Sequence, residues 1–77
     1  MEPVMLISDL ASRTGLSIHT INYYIQLGLV LESARAERSG YRLFNLDTVR
    51  ILEEIIQLRR RNVTIKELVA RKRDGLL

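Results

Sequence analysis

Residues 10–29 read Leu10-Ala11-Ser12-Arg13-Thr14-Gly15-Leu16-Ser17-Ile18-His19-Thr20-Ile21-Asn22-Tyr23-Tyr24-Ile25-Gln26-Leu27-Gly28-Leu29, and residues 40–44 add Gly40-Tyr41-Arg42-Leu43-Phe44. Two short helices joined by a sharp turn, followed by a β-hairpin, account for this order. Ile7, Leu10, Ala11 and Thr14 recur at three- and four-residue spacing, which predicts a helix over residues 7–14 with one buried face. Either Leu6 or Ser8 opens it. Gly15 closes it, because the chain must reverse there and glycine reaches positive φ without a Cβ clash. Ala11, small and four residues before that glycine, allows a second helix to approach closely. Ser17 is a good N-cap, so the second helix runs over 17–27 and stops at Gly28. Leu10, Leu16, Ile21 and Tyr24 fall where the two helices share a core.

The faces of the second helix differ in chemistry. Ile18, Ile21 and Ile25 form an inner face. His19, Asn22, Tyr23 and Gln26 lie three or four apart on the opposite side, with Thr20 beside them. That outer face is polar and uncharged, where an ordinary solvated helix more often carries Lys and Glu. Mixed donors and acceptors suit the base edges of a DNA major groove. Tyr23 and Tyr24 could instead stack single-stranded bases, but adjacent helical residues point about 100° apart. One faces out and one in, which argues against a stacking platform.

Beyond Gly28, Leu29-Val30-Leu31 and Tyr41-Arg42-Leu43-Phe44 are rich in β-formers and read as two strands of a hairpin over residues 29–44. The intervening loop, residues 32–40, is long enough to be mobile without a ligand, and it carries Arg35 and Arg38 as a cationic tip. Asn45 caps a third helix, 45–61, with Asp47 in its first turn. Leu46, Val49, Leu52, Ile55, Ile56 and the stem of Arg59 form its inner stripe. Ile51 and Leu58 widen that stripe beyond one core face and point to a surface that a further helix would cover. Asn62 is the expected left-handed residue after it. Thr64 and Glu67 form a capping box, with Val63 and Leu68 as the hydrophobic staple of a fourth helix over 64–73. Residues 1–5 are expected to be a loose start, with Pro3 blocking regular hydrogen bonding.

The fold class that follows is mainly α: a winged helix-turn-helix, four helices with a two-stranded wing between the second and third, as one domain over residues 1–77. Composition agrees with it. The 77 residues are 47% hydrophobic and 27% charged, a folded chain rather than a disordered one. With no cysteine, disulfides, thiolate metal sites and cysteine nucleophiles are excluded. A metal site is not expected either, because His19 has no second histidine to join it. The net charge of +3 leans towards nucleic acid. No signal peptide or long apolar run is visible, so a cytoplasmic protein without a membrane partner is expected. Asp9, Asp47, Glu53 and Glu54 are spaced as caps and surface charges, which leaves no acid–base pair for an enzyme. Arg59-Arg60-Arg61 and Arg71-Lys72-Arg73 sit where cations favour the negative ends of helix dipoles, and that role explains them better than a nucleic-acid patch.

Ile7-Ser-Asp-Leu-Ala, Thr14-Gly-Leu-Ser, Tyr23-Tyr24, Leu27-Gly-Leu, Gly40-Tyr-Arg-Leu-Phe and Asn62-Val-Thr-Ile-Lys-Glu occur in the order seen in MerR-type regulators, which this chain resembles over roughly residues 5–70. The resemblance implies a dimeric bacterial transcription regulator, associated with the nucleoid, that binds a pseudo-palindromic promoter in double-stranded DNA. Many such regulators bend and untwist the promoter so that RNA polymerase engages it. By position, Ser17, His19 and Thr20 would face the groove, with Asn22 on the same reading face. Tyr23 would donate to a phosphate, Arg42 would clamp the backbone beside Tyr41, and Arg35 and Arg38 belong to the wing. Positions 19 and 22, often arginine in the family, are His19 and Asn22 here, and position 25, often acidic, is Ile25. The resemblance also implies a dimerisation helix and an effector domain after the winged domain, so a homodimer is expected only with that helix. No cofactor is expected within these residues. The chain reads either as a fragment of a longer regulator or as a short excisionase-like or phage DNA-packaging protein, with a protein-interaction adaptor as a third class.

Overall fold

The computed structural model describes residues 4–77, and the loose start expected at Met1, Glu2 and Pro3 lies outside the described residues. Helix α1 spans Ile7–Thr14 and α2 spans Ile18–Gln26. Between them Gly15 sits at φ 79°, and its N–H donates to the Ala11 carbonyl at 2.9 Å. This left-handed cap ends α1 where the sequence places the turn. Leu6 is the residue before α1, and the Asp9 carboxylate accepts from its N–H at 2.9 Å. A carboxylate there also meets the positive end of the helix dipole.

Ser17 caps α2, accepting from the Thr20 N–H at 3.0 Å. At the other end Gly28 adopts φ 78°. Its N–H reaches the Ile25 carbonyl, and the Leu29 N–H reaches that of Tyr24, each at 3.0 Å. These paired bonds are a Schellman cap, which needs the left-handed residue at its corner. A Cβ added at Gly28 would meet open space, so backbone conformation alone opposes one. Gly28→Ala should therefore destabilise the domain by about 1–2 kcal/mol without disturbing packing. A urea midpoint unchanged from the parent would contradict this.

The wing departs from expectation. Residues Leu29, Val30 and Leu31 are not a strand; the hairpin pairs β1 (Ala34–Arg35) with β2 (Arg42–Leu43), in the register Ala34↔Leu43 and Arg35↔Arg42. The reason lies in the core. Leu29 and Val30 are both fully buried, and an extended strand sends adjacent side chains to opposite faces. Nor is the loop long. The Ala36 N–H donates to Tyr41 O and the Gly40 N–H to Ala36 O, each at 2.9 Å, which leaves only residues 37–40 as a tight tip.

Met5 also departs from expectation, being buried and paired with Phe44. Met5 N–H donates to Phe44 O at 2.9 Å and Phe44 N–H returns to Met5 O at 2.8 Å. Helix α3 spans Leu46–Arg60, and the Asn45 side chain accepts from the Asp47 and Thr48 amides. Val49, Leu52 and Ile55 are its buried stripe, while Arg59 is exposed and donates through Nη1 to the Val63 carbonyl at 2.8 Å. Asn62 follows at φ 65°, again within a Schellman pair of bonds. Ile51 and Leu58, expected to face a missing helix, are partly buried against this chain's own core.

Helix α4 spans Ile65–Arg73 with Thr64 accepting from the Glu67 N–H at 3.1 Å. The expected capping box is half made, because the Glu67 carboxylate turns instead to Arg71 at 3.3 Å. A cation four residues on competes well for that carboxylate. One core unites the elements: Met5, Leu10, Ile21, Tyr24, Leu29, Val30, Phe44, Val49, Leu52, Ile55 and Leu68 are all buried. Helix α1 packs on both α2 and α3, which leaves one side of α2 and the wing facing outward.

Candidate nucleic-acid interface

Helix α2 presents three exposed side chains at helical spacing, His19, Tyr23 and Gln26, on the side opposite buried Ile21 and Tyr24. The two tyrosines divide as their adjacency requires. Tyr24 is 6% exposed and Tyr23 44%, with ring centroids 6.0 Å apart and tilted. Ile18, assigned above to the inner face, is 44% exposed instead. It is the first residue of α2.

Ser17 and Thr20 form a local pair. Ser17 Oγ accepts the Thr20 amide and donates its own proton to Thr20 Oγ1 at 2.9 Å. The Ser17 hydroxyl is thus occupied by the cap, while Thr20 keeps its O–H proton to give away. Of the two, Thr20 is the group able to donate to an outside acceptor.

Asn22 is half-buried. It shares an open depression of about 390 Å³ with Leu6, Ile7, Ser8, Arg35, Gly40, Tyr41 and Arg42. The fold therefore brings Asn22 of α2 together with Arg35, Tyr41 and Arg42 of the hairpin. Tyr41 is 65% exposed. Arg38 is set apart at the hairpin tip, next to Glu37. The tip thus carries one arginine, not two: Arg35 belongs to strand β1.

One residue at this site was not anticipated. Glu32 lies at the base of the wing, its carboxylate 2.8 Å from Arg35 Nε through Oε1 and 3.1 Å from Arg42 Nε through Oε2. The Arg35 guanidinium, then Arg42, holds the Glu32 carboxyl below the usual carboxylate range. A lowered value in the folded state means that this pairing is fully present at neutral pH and is lost only as acid protonates the carboxyl. The three-residue spacing of Glu32 and Arg35 is visible in the sequence, but Arg42 joins them only through the hairpin register.

A helix with an uncharged polar face, set beside a hairpin carrying Arg35, Arg38 and Arg42, defines a winged helix-turn-helix domain of the DNA-binding class. The sequence pattern of the MerR HTH family regulatory proteins matches residues 5–71, and the chain belongs to that family. It is 37% identical over 62 residues to the mercuric resistance operon regulatory protein of Bacillus cereus, covering 80% of this chain and 46% of that protein. It is 30% identical over 74 residues to the transcriptional regulator BrlR of Pseudomonas aeruginosa, covering 96% and 27% respectively.

Among solved structures, a MerR-family transcriptional regulator from Bacillus cereus superposes with a TM-score of 0.80 at 25% identity, over 88% of this chain and 50% of that one. The regulator PbrR691 from Ralstonia metallidurans CH34, solved with lead(II), gives 0.77 at 27% identity, over 92% and 56%. The chain thus spans about half or less of the length of these relatives. Family membership makes the domain a DNA-binding module of transcription regulation and not an enzyme. No helix among the described residues is long and apolar enough to cross a membrane.

Proposed function

We propose that this domain reads double-stranded DNA by laying α2 in the major groove while the wing grips the adjoining backbone, and that it does so as half of a dimeric promoter-distorting regulator. The observation that carries this is the shared depression lined by Asn22 of α2 and by Arg35 and Arg42 of the wing. Base-reading and phosphate-binding chemistry are thereby held side by side, which a helix-turn-helix reader requires.

In this reading His19, Thr20 and Asn22 face base edges, and Ser17 acts by capping the helix that presents them. Tyr23 donates to a phosphate, as do Arg35 and Arg42, with Tyr41 and Arg38 flanking. Dimerisation uses a helix outside these 77 residues, in keeping with the greater length of the relatives. Any effector binds there as well. Two domains on a pseudo-palindrome could then bend and untwist the promoter for RNA polymerase, the added phosphate contacts offsetting an elastic cost of about 1–6 kcal/mol. The site of action is the nucleoid, in the cytoplasm.

Titration of duplex DNA at two salt concentrations tests the core of the proposal. Binding should weaken steeply with salt, because each neutralised phosphate releases counterions. An interaction adaptor built on the same fold would bind little even at low salt. Selection from random duplexes should then return a defined sequence. Against that sequence, His19→Ala or Thr20→Ala should cost about 1–3 kcal/mol at particular base pairs and relax preference there. Equal losses on selected and random DNA would remove these two residues from base reading.

A further inference from the structure

Arg35 and Arg42 stand directly opposite each other in the hairpin register. Like charges in that position repel and weaken a two-stranded ladder. Glu32 sits against both of them, one carboxylate oxygen to each guanidinium, and each contact is made through Nε. Among the described residues no Nη group of either arginine makes a hydrogen bond. The carboxylate therefore takes the inner edge of each guanidinium and leaves the outer edge, with its paired N–H donors, unused. An outer edge of this kind matches the fork geometry by which arginine binds phosphate.

We propose that Glu32 is a positioning residue for DNA binding: its carboxylate brackets Arg35 and Arg42 so that their free Nη edges form one preset donor pair for backbone phosphate. The proposal rests on the DNA-binding reading above. It runs against plain electrostatics, which makes it testable by sign. A carboxylate near a phosphate-binding face ordinarily repels DNA, and removing it ought to tighten binding. As a bracket it has the opposite effect, because two long side chains held in place lose less freedom on binding than two free ones.

The hairpin supplies its own control in Glu37, exposed at the tip and without an ion pair among the described residues. A labelled random-sequence duplex is titrated with the parent, Glu32→Gln and Glu37→Gln, after circular dichroism and urea unfolding have shown that each variant folds. Glu37→Gln should bind as well as the parent or better. Glu32→Gln should bind about tenfold more weakly, although it too removes a negative charge. The same substitution is repeated in an Arg35→Lys, Arg42→Lys background, where an ammonium has no second edge to be held by. There Glu32→Gln should no longer weaken binding.

If Glu32→Gln tightens binding as Glu37→Gln does, or if its loss persists between the lysines, the bracket is wrong while DNA binding stands. If the parent itself shows no salt-dependent binding, the DNA reading fails and the bracket falls with it.

Discussion

Phe44→Ala should leave much of the domain unfolded under conditions in which the parent is folded. Phe44 is the largest of the fully buried side chains, and it joins the wing to the helical body. Its backbone exchanges two hydrogen bonds with Met5, which the substitution preserves. What is lost is the ring and the packing around it. Removing a buried phenylalanine costs about 3–5 kcal/mol, since the surrounding side chains close only part of the void. A 77-residue domain has roughly 4–12 kcal/mol in total at typical per-residue stability. Urea unfolding followed by circular dichroism should show a midpoint shifted far towards zero. Phe44→Leu, which keeps a branched apolar side chain and leaves a smaller void, should cost clearly less than the alanine. If alanine and leucine behave alike, the ring is not the keystone that its burial implies.

The second large effect expected is on binding. Arg42→Ala should weaken every duplex by about tenfold, which is about 1.4 kcal/mol, with no change in sequence preference. Arg42 lies on β2 and lines the same depression as Asn22 and Tyr41, where the proposal gives it a backbone phosphate. A backbone contact is blind to sequence, and its loss should reduce the slope of log affinity against log salt by about one. The variant should stay folded, because Arg42 is exposed and its Glu32 partner keeps Arg35. A change of preferred sequence with non-specific affinity intact would assign Arg42 to base reading instead.

The helix ends were legible in the sequence because caps are local. Gly15, Ser17, Gly28, Asn45, Asn62 and Thr64 each act on amides or carbonyls within a few residues, and each occupies the position that its side chain or lack of one predicts. What was not legible depends on partners distant in the chain. Leu29-Val30-Leu31 has strand composition, but the core takes Leu29 and Val30 together, and only a non-strand backbone allows that. Met5 looked like a tail because nothing near it in sequence reveals Phe44. Glu32 became part of the candidate site only once the hairpin register brought Arg42 opposite Arg35. For the recognition face, helical arithmetic placed His19, Tyr23 and Gln26 correctly. It failed at Ile18, the first residue of α2, which is exposed.

The cap at Gly28 also limits how much information one copy can extract from a promoter. It holds α2 to 9 residues, a rod about 13 Å long. At about 3.4 Å per base pair, such a rod runs alongside about four base pairs. A word of four letters recurs about once in 250 base pairs of random sequence, far too often to mark one gene against a genome of competing sites. If α2 reads bases as proposed, a single domain would therefore not hold a unique address. In the proposed dimer, a second copy at fixed spacing would supply the missing letters.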